Sequence, residues 1–273
     1  TNYRERTGEE LNLNNPQKFN EKLWYLKLYY RNPLMTICSD KYKVREYVKE
    51  CGLKHILNEI YDVYDDAKDI DFDNLPANKV FFKCNHTSGY NAIYDKNKKF
   101  DKKNFIRKFN FILKQNYYHV SREWNYRNIE PKIICEKVLD INGLLDYRFF
   151  CFKGKARLLC VDSETCADDG SHFEGARRNV YDRDMNFLNF TIGRENFPLY
   201  LAPRPNNFEE MREYAETLSK PFPCVRVDFY NINQKIYFGE MTFYHGGCCQ
   251  KVSSKEWDIK LGSWIDISCI SDR

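Results

Sequence analysis

Apolar side chains recur at intervals of three and four residues in several stretches of the chain, and this spacing predicts amphipathic helices. The predicted helices cover residues 18–30, 39–52, 102–115 and 207–219. Asn32-Pro33 ends the first of them, because the residue before a proline avoids the helical conformation. Ser39 is the candidate N-cap of the second helix, and Gly52 is expected to close its last turn.

Other apolar stretches are short and bounded by polar turns, which is typical of β-strands. We expect a short strand within residues 60–76, strands at 79–84 and 131–139, and hairpins over 146–161 and 224–243. The first hairpin turns at Lys153-Gly154 and the second near residues 231–234. The polar residues 162–177 predict a surface loop. Repeated strand-helix-strand units are missing, so the sequence predicts an α+β protein with antiparallel sheets.

Composition narrows the class of protein. The chain is 42% hydrophobic and 30% charged, which excludes a disordered protein. The formal charge is +4 with both signs interleaved, so no clustered basic face for nucleic acid is expected. No apolar run is long enough to span a membrane. The eleven cysteines are an odd number without a CxxC pair, and most lie in apolar stretches, which indicates buried thiols and a cytoplasmic location.

The last hairpin carries the strongest candidate chemistry. Alternation along the strand puts Arg226 and Asp228 on one face. If the pairing centres on Gln234, Glu240 faces Asp228 and Thr242 lies beside Arg226. Two facing carboxylates repel each other unless a cation lies between them, and Mg²⁺ prefers such oxygen ligands, while the arginine suits a metal-bound phosphate. The alternative is a solvated sheet face on which these charges pair loosely.

A second candidate is Lys83, at the end of a strand, with the loop of residues 85–91 that follows. Small and hydroxylated residues around a glycine can direct backbone N–H groups at phosphate oxygens, and a lysine adds a point charge. A plain hairpin turn is the competing interpretation. Three other segments give still weaker signals when taken singly: Asp40-Lys41, residues 136–139 and residues 146–148.

In their order along the chain, however, these pieces resemble the ATP-grasp superfamily of carboxylate-amine ligases. Six segments of the chain are similar to the TupA-like branch of this superfamily, which is associated with teichuronopeptide and capsular polysaccharide synthesis. They are FNEKLWYLKLYYRNPL, SDKYKVREYV, KCNHTSGYN, DYRFFCFKGK, RVDFY and YFGEMTFYHGG. The resemblance extends over residues 18–265. It implies an ATP-grasp fold, with two lobes of antiparallel sheet flanked by helices and a short N-terminal helical extension. The expected ranges are 1–59 for the extension, 60–137 for the small lobe and 138–273 for the large lobe.

The resemblance also implies a role for each motif residue, with ATP and Mg²⁺ as cofactors. Two lysines would contact the ATP phosphates, Lys41 and Lys83. A mobile flap would cover them, starting with His86, Thr87, Ser88 and Gly89. The adenine would lie against Glu136, Val138 and Leu139, and the ribose hydroxyls against Asp146. Mg²⁺ would be held by Asp228, Glu240 and Thr242, although many relatives have Asn in place of this threonine. Two arginines would serve the phosphates, with Arg226 stabilising the transferred phosphoryl group and Arg148 as a second contact.

The implied reaction joins a carboxylate to an amine through an acyl phosphate. The implied substrates are a hexuronic acid of a polysaccharide precursor and an amino acid. Acceptor contacts are expected in the loop of residues 162–177 and at Arg177-Arg178, unless these are a plain solvated connection. Two alternatives remain. One is a glycan-modifying transferase that uses a sugar nucleotide. The other is a non-catalytic nucleotide-binding module, for which Thr242 is the best argument.

Overall fold

The chain folds into two compact units in a computed structural model. The described residues are 2–139, 144–163, 165, 167, 169–171, 173, 175–268 and 270. One unit, which we call the five-stranded unit, combines residues 1–32, 145–163 and 176–273. The other, the four-stranded unit, combines residues 33–144 and 164–175. The contacts thus divide the N-terminal 59 residues between both units.

The helices and strands have the following bounds in chain order. The first half contains α1 (Asn2–Thr7), α2 (Phe19–Tyr29), α3 (Pro33–Ser39), α4 (Val44–Glu50), β1 (Ile60–Tyr64), β2 (Lys79–Cys84), β3 (Asn91–Asp95), α5 (Lys102–Leu113), α6 (Tyr117–Ser121) and β4 (Ile133–Lys137). The second half contains β5 (Leu145–Phe152), β6 (Lys155–Ser163), β7 (Arg177–Asp182), α7 (Phe208–Ser219), β8 (Val225–Ile232), β9 (Lys235–Thr242) and α8 (Lys255–Ser263). None of the described helices is long and apolar enough to cross a bilayer.

The four-stranded unit contains an antiparallel sheet in the order β1-β4-β2-β3. Helix α5 covers one face of it and buries Phe105, Phe109 and Ile112 in a core shared with Val80 and Phe82. These apolar positions on α5 follow the helical repeat, which is why the sequence predicted the helix correctly.

The five-stranded unit contains an antiparallel sheet in the order β7-β6-β5-β8-β9. Helix α7 covers one face, where the ring of Phe208 contacts Phe149 at 5.8 Å between centroids. On the opposite face, α2 packs Phe19 against Phe150 and Phe152 at one end of β5. Charged side chains occupy the remainder of that second face, which we call the charged face.

Both predicted hairpins of this unit are confirmed, and each contains a β-bulge. Lys153 and Gly154 form the first turn with φ values of 48° and 75°. Asn233 and Gln234 form the second with φ values of 51° and 64°, as expected for the two central residues of a type I′ turn. The bulges shift the register by one residue, at Arg157 on β6 and at Gly239 on β9. A Cβ on Gly239 would lie 3.0 Å from the backbone oxygen of Asp228, so the bulge favours glycine there.

Some expectations are wrong in detail. Ser39 does not cap a helix, because α3 begins at Pro33 and runs through it; the Oδ1 of Asp40 instead accepts hydrogen bonds from the backbone N–H groups of Tyr42 and Lys43 at 2.9 and 3.2 Å. Helices α3 and α8 and strand β7 were not predicted.

Among the described residues of the polar stretch 162–177, some do not belong to a surface loop. Asp162 is a fully buried residue of β6, and residue 177 begins β7. Gly170 is buried against Ile93 and Phe81 in the four-stranded unit. Residues 164, 166, 168, 172 and 174 of this stretch lie outside the described residues.

Candidate functional site

The register of the last hairpin agrees with the sequence prediction. Asp228 pairs with Glu240, and Arg226 pairs with Thr242, so that all four side chains lie on the charged face. The two-residue turn alone would have placed Gly239 opposite Asp228 by the count of residues, and the bulge brings Glu240 there instead. The apolar alternate residues Val225 and Val227 are buried on the face that α7 covers.

Arg226 connects the other three polar side chains of this hairpin through hydrogen bonds. Its Nε and Nη2 donate to the two carboxylate oxygens of Asp228 at 2.7 and 2.6 Å. The same Nη2 donates to Glu240 Oε1 at 2.9 Å and to Thr242 Oγ1 at 3.0 Å. The Thr242 hydroxyl in turn donates to Glu240 Oε1 at 3.1 Å. The pairing is therefore tight, in contrast to a solvated face with loosely paired charges. Arg226 and Asp228 are buried, whereas 42% of the Glu240 side chain is exposed.

Arg148 of β5 lies among three carboxylates on the same face. Its Nη2 donates to Asp146 Oδ2 at 2.6 Å, and its Nε lies 3.3 Å from Asp162 and 3.9 Å from Asp228. Burial acts to lower the pKa of Arg148, but these carboxylates raise it well above its ordinary value. The buried Asp146 Oδ1 and Arg148 Nε have no hydrogen-bond partner in the described part of the chain. Such atoms are suited to a ligand, since an unsatisfied buried polar atom is costly.

Four further residues belong to this cluster, and sequence reasoning gave them no role in the ATP site. Arg178 donates to both oxygens of Asp162 at 2.6 and 2.7 Å, and Arg194 donates to Asp162 Oδ2. His245 lies between two arginines, with Nδ1 2.8 Å from Arg226 and Nε2 3.4 Å from Arg178. Arg178 is only 1% exposed, so it is engaged inside the protein and does not face an acceptor as expected. In the sequence, the available signal for this part of the cluster was Asp162, a charged residue among the apolar positions of β6.

The cluster combines four guanidinium groups with four carboxylates, but unevenly. Asp162 contacts Arg148, Arg178 and Arg194. Burial alone would raise the pKa of Asp162, but these cations hold it well below its usual range. Asp228 shares Arg226 with Glu240, and burial raises the pKa of Asp228 in spite of the arginines. Of these two aspartates, Asp228 on the last hairpin is therefore the less compensated by cations.

The donor set of the hairpin suits Mg²⁺. Asp228 and Glu240 present carboxylate oxygens side by side, which are the ligands this ion prefers. No group of three or more His, Cys, Asp or Glu side chains suited to a metal occurs among the described residues. Magnesium often binds through one or two carboxylates together with substrate phosphates, so two protein ligands fit such an ion.

In the four-stranded unit, Asn85 fixes the start of the loop after β2. Its Nδ2 donates to Asp40 Oδ1 and to the Glu130 carbonyl, both at 2.9 Å, and its Oδ1 accepts from the Lys132 N–H at 2.7 Å. Lys41 follows the buried Asp40, and its Nζ donates to the Thr87 carbonyl at 2.5 Å. Lys41 and this loop are therefore brought together, as the phosphate role requires.

The loop has a buried part and an exposed part. His86 and Thr87 are buried, and the His86 Nε2 lies 3.2 Å from the Ile112 carbonyl of α5. Burial lowers the pKa of His86, so the imidazole is neutral at physiological pH. Ser88 and Gly89 are exposed, and Gly89 has a φ of 84°. The loop also connects antiparallel strands β2 and β3, which agrees with the hairpin-turn interpretation.

Lys83 and the adenine segment also meet in this unit. The Nζ of Lys83 donates to Glu136 Oε1 at 2.7 Å, with 18% and 11% of the two side chains exposed. Val138 and Leu139 follow the end of β4 and are partly exposed. Residues 140–143, which complete the connection to β5, lie outside the described residues. Lys83 and Glu136 were assigned to opposite ends of the nucleotide, whereas the structure pairs them directly.

A family model described as TupA-like ATP-grasp matches residues 21–266, and the chain belongs to this family. The α+β ATP-grasp fold expected from the sequence is thereby confirmed. Comparison with curated proteins gives no match.

Several solved structures are similar to the chain at low identity. D-Alanine-D-alanine ligase from Helicobacter pylori is 15% identical with a TM-score of 0.47, and the match covers 92% of this chain and 69% of that one. L-Amino acid ligase from Bacillus licheniformis is 14% identical with a TM-score of 0.48, covering 80% and 46%. Biotin carboxylase from Campylobacter jejuni, in a beta-gamma-ATP complex, is 10% identical with a TM-score of 0.48, covering 87% and 47%.

Proposed function

We propose that this protein is an ATP-dependent carboxylate-amine ligase. It joins a hexuronic acid of a capsular or cell-wall polysaccharide precursor to an amino acid through an amide bond. One observation carries the proposal: the buried Arg226 donates to both of the facing carboxylates Asp228 and Glu240, in a chain of the TupA-like ATP-grasp family. This arrangement suits the transfer of a phosphoryl group with bound metal.

Each residue near these carboxylates has a proposed part. Asp228 and Glu240 would hold Mg²⁺, and Thr242 would position Glu240 through its hydrogen bond of 3.1 Å. The ion would supply charge neutralisation and orientation of the phosphates. Arg226 would stabilise the phosphoryl group in transfer, and Arg148 would be a second phosphate contact. The unpartnered Asp146 Oδ1 supports its assignment to a ribose hydroxyl.

The four-stranded unit would supply the nucleotide contacts. Lys41 and Lys83 would donate to ATP phosphates. Lys83 would release part of its contact with Glu136 in order to contact the ligand. The backbone of Lys137 is already bonded to Glu59 and Asn58 at 3.0 and 2.8 Å. Val138 and Leu139 would therefore serve the adenine, with the carboxylate of Glu136 near its polar edge.

The proposed reaction has two steps. A carboxylate oxygen of the acceptor attacks the γ-phosphorus of ATP, and the bond to the bridging oxygen breaks, which releases ADP and gives an acyl phosphate. The amine of the amino acid then attacks the carbonyl carbon. Inorganic phosphate leaves with its bond electrons, and the nitrogen loses a proton to form the amide. The arginines and lysines stabilise charge on the phosphoryl oxygens in the first step.

Water must be kept from the acyl phosphate, so part of the protein is expected to close. The family resemblance assigned this flap to residues 86–91. Because His86 and Thr87 are buried and hydrogen-bonded, we propose that only residues 88–90 move. The exposed Gly89, with its φ of 84°, would allow the change in backbone direction.

The identities of the acceptor and the amino acid rest on the family resemblance. We also propose a cytoplasmic location, where ATP is supplied. In support, the nine cysteines among the described residues are thiols, and eight of them are buried.

The proposal is tested by ADP release from purified protein supplied with ATP and Mg²⁺. Candidate uronic acids and amino acids are added singly and in pairs. Release that requires both an acid and an amine is expected. Two other outcomes would contradict the proposal. Nucleoside diphosphate release from a UDP-sugar, with ATP inert, would indicate the transferase, and ATP binding without turnover under every condition would indicate the non-catalytic module.

A further inference from the structure

The positive charge of this protein is concentrated in one segment of the four-stranded unit. Residues 96–114 contain eight lysines and arginines against one acidic residue, a net charge of +7 in a chain whose total is only +4. All eight basic side chains are exposed: Lys96, Lys98, Lys99, Lys102, Lys103, Arg107, Lys108 and Lys114. The interleaving of charges is therefore broken here, as it is with the opposite sign in residues 59–73, which contain seven acidic residues against one lysine.

Helix α5 places several of these basic side chains on its outward side. Phe105, Phe109 and Ile112 face the core. Four outward residues recur at intervals of four, four and three, and so form one stripe along the helix. We call this stripe the basic stripe, and its members are Lys103, Arg107, Phe111 and Lys114. It extends for about 16 Å at the rise of an α-helix.

The basic stripe contains an exposed aromatic ring. Phe111 lies between Arg107 and Lys114 along the stripe, and 64% of its surface is exposed. Phe111 is one of several large apolar side chains that face solvent in the described chain, and it is the one that lies in line with the cations of α5. A soluble anion would neutralise the lysines but would leave this ring in water.

We propose that the basic stripe docks the protein on an anionic lipid bilayer. Seven of the eight basic residues in the segment are lysines, which act as point charges without the bidentate geometry that recognises one defined anion. Such a set is complementary to a surface of phosphate headgroups, to which clustered lysines are attracted. Phe111 would enter the boundary between headgroups and acyl chains, as aromatic residues of interfacial helices do. The docking is peripheral and adds to the proposed ligase activity without depending on it.

The test is sedimentation of the full chain with vesicles in buffer of low ionic strength, without nucleotide. Vesicles of phosphatidylcholine with phosphatidylglycerol are compared with vesicles of phosphatidylcholine alone. We expect binding to the anionic vesicles only, and release when salt shortens the screening length. Equal binding to both, or to neither, would overturn the proposal. Because no ATP is present, this result is independent of whether the protein is a ligase.

Two variants and a matched control sharpen the test. Replacement of Lys103, Arg107 and Lys114 together by Gln is expected to weaken binding about 100-fold, from the loss of three surface charges. The control replaces Lys220, Lys235 and Lys255 by Gln; these are equally exposed residues of the five-stranded unit, and binding should be retained. Equal losses in the two triple variants would overturn the assignment to α5.

Phe111→Ser distinguishes a membrane from a soluble acidic polymer. We expect this variant to bind the anionic vesicles less tightly while its binding to polygalacturonate, measured by calorimetry, equals that of the unmodified protein. If Phe111→Ser binds vesicles normally and polygalacturonate displaces the protein from them, the surface serves an acidic polymer and the lipid proposal is wrong. Circular dichroism confirms that each variant is folded, since these exposed changes leave the core untouched.

Discussion

Arg226 Nη1 donates a hydrogen bond to His245 Nδ1 at 2.8 Å. A guanidinium group only donates, and Arg226 is much closer to Nδ1 than Arg178 is to Nε2, at 3.4 Å. Nδ1 is therefore the acceptor, and the proton of the neutral ring lies on Nε2. Burial, together with Arg226 and Arg178, holds the pKa of His245 well below its ordinary value. His245 therefore helps to orient the arginine proposed to stabilise the transferred phosphoryl group, provided that the ring stays neutral.

This contact makes stability depend on pH. The unfolded chain takes up a proton at His245 below about pH 6.5, whereas the folded protein does not. The free energy of unfolding should therefore fall as the pH decreases below that value, with a contribution of about 1.4 kcal/mol per pH unit. His245→Gln should lack this contribution. Urea unfolding of both proteins over this pH range measures it, and identical pH profiles would contradict the neutral, buried imidazole.

Asp258 should give a pH dependence of the opposite sign. Its side chain accepts the Phe19 N–H at 3.1 Å, and burial raises its pKa to about 6. The folded protein thus holds a proton that the unfolded chain loses above about pH 4, and stability falls as the pH rises from there to about 6. Asp258→Asn keeps the acceptor without the charge. The variant should match the unmodified protein at about pH 4 and be more stable at pH 7 by on the order of 2 kcal/mol.

Urea unfolding at both pH values checks this prediction. A variant that is less stable than the unmodified protein at neutral pH would mean that the ionised carboxylate stabilises the fold.

Lys83 offers a direct test of the nucleotide site. Lys83→Ala should weaken ATP binding about tenfold or more, because a charge-assisted contact to phosphate is lost. Lys79→Ala is the matched control, since Lys79 lies on the same strand and the same face but at the exposed end. Titration calorimetry with ATP and Mg²⁺ measures both. Equal affinities for the two variants would remove Lys83 from the phosphate site.

Asp228 tests the metal assignment. Asp228→Asn should lower Mg²⁺-dependent ADP release at least about 100-fold, because a carboxylate ligand and its charge are lost. The fold should persist, since burial already raises the pKa of this group and an amide can still accept from Arg226. Glu213→Gln, an exposed change on α7, is the control. Normal turnover in Asp228→Asn, or a collapse of its thermal stability without ligand, would indicate a purely structural carboxylate.

The hairpin chemistry could be predicted from the sequence because strand alternation and turn position are local properties. Arg226 and Asp228 share a face in any extended strand. The pairing of Asp228 with Glu240 was predicted correctly from a turn centred on Gln234. The structure reaches that pairing differently, through a turn at residues 233–234 followed by the bulge at Gly239.

Asp162 shows why the remainder of the cluster was not predicted. Counting from the turn at Lys153-Gly154 would place Val161 opposite Asp146. The bulge at Arg157 shifts the register, so that Asp162 faces Asp146 instead. Two opposed carboxylates then require cations. Arg148 of β5 is close to Asp146 in sequence, but Arg178 of β7 and Arg194 of a later loop are distant. No local pattern specifies such partners, because they depend on the path of the whole chain.

The central claim is that a carboxylate is activated by ATP and then joined to an amine. The most direct measurement supplies a uronic acid labelled with ¹⁸O in its carboxylate, together with an amino acid, ATP and Mg²⁺, and analyses the released phosphate by mass spectrometry. The acyl phosphate route predicts one ¹⁸O atom in each phosphate formed, because the attacking carboxylate oxygen leaves with the phosphorus. Phosphate that is formed together with amide but carries no ¹⁸O would contradict the account.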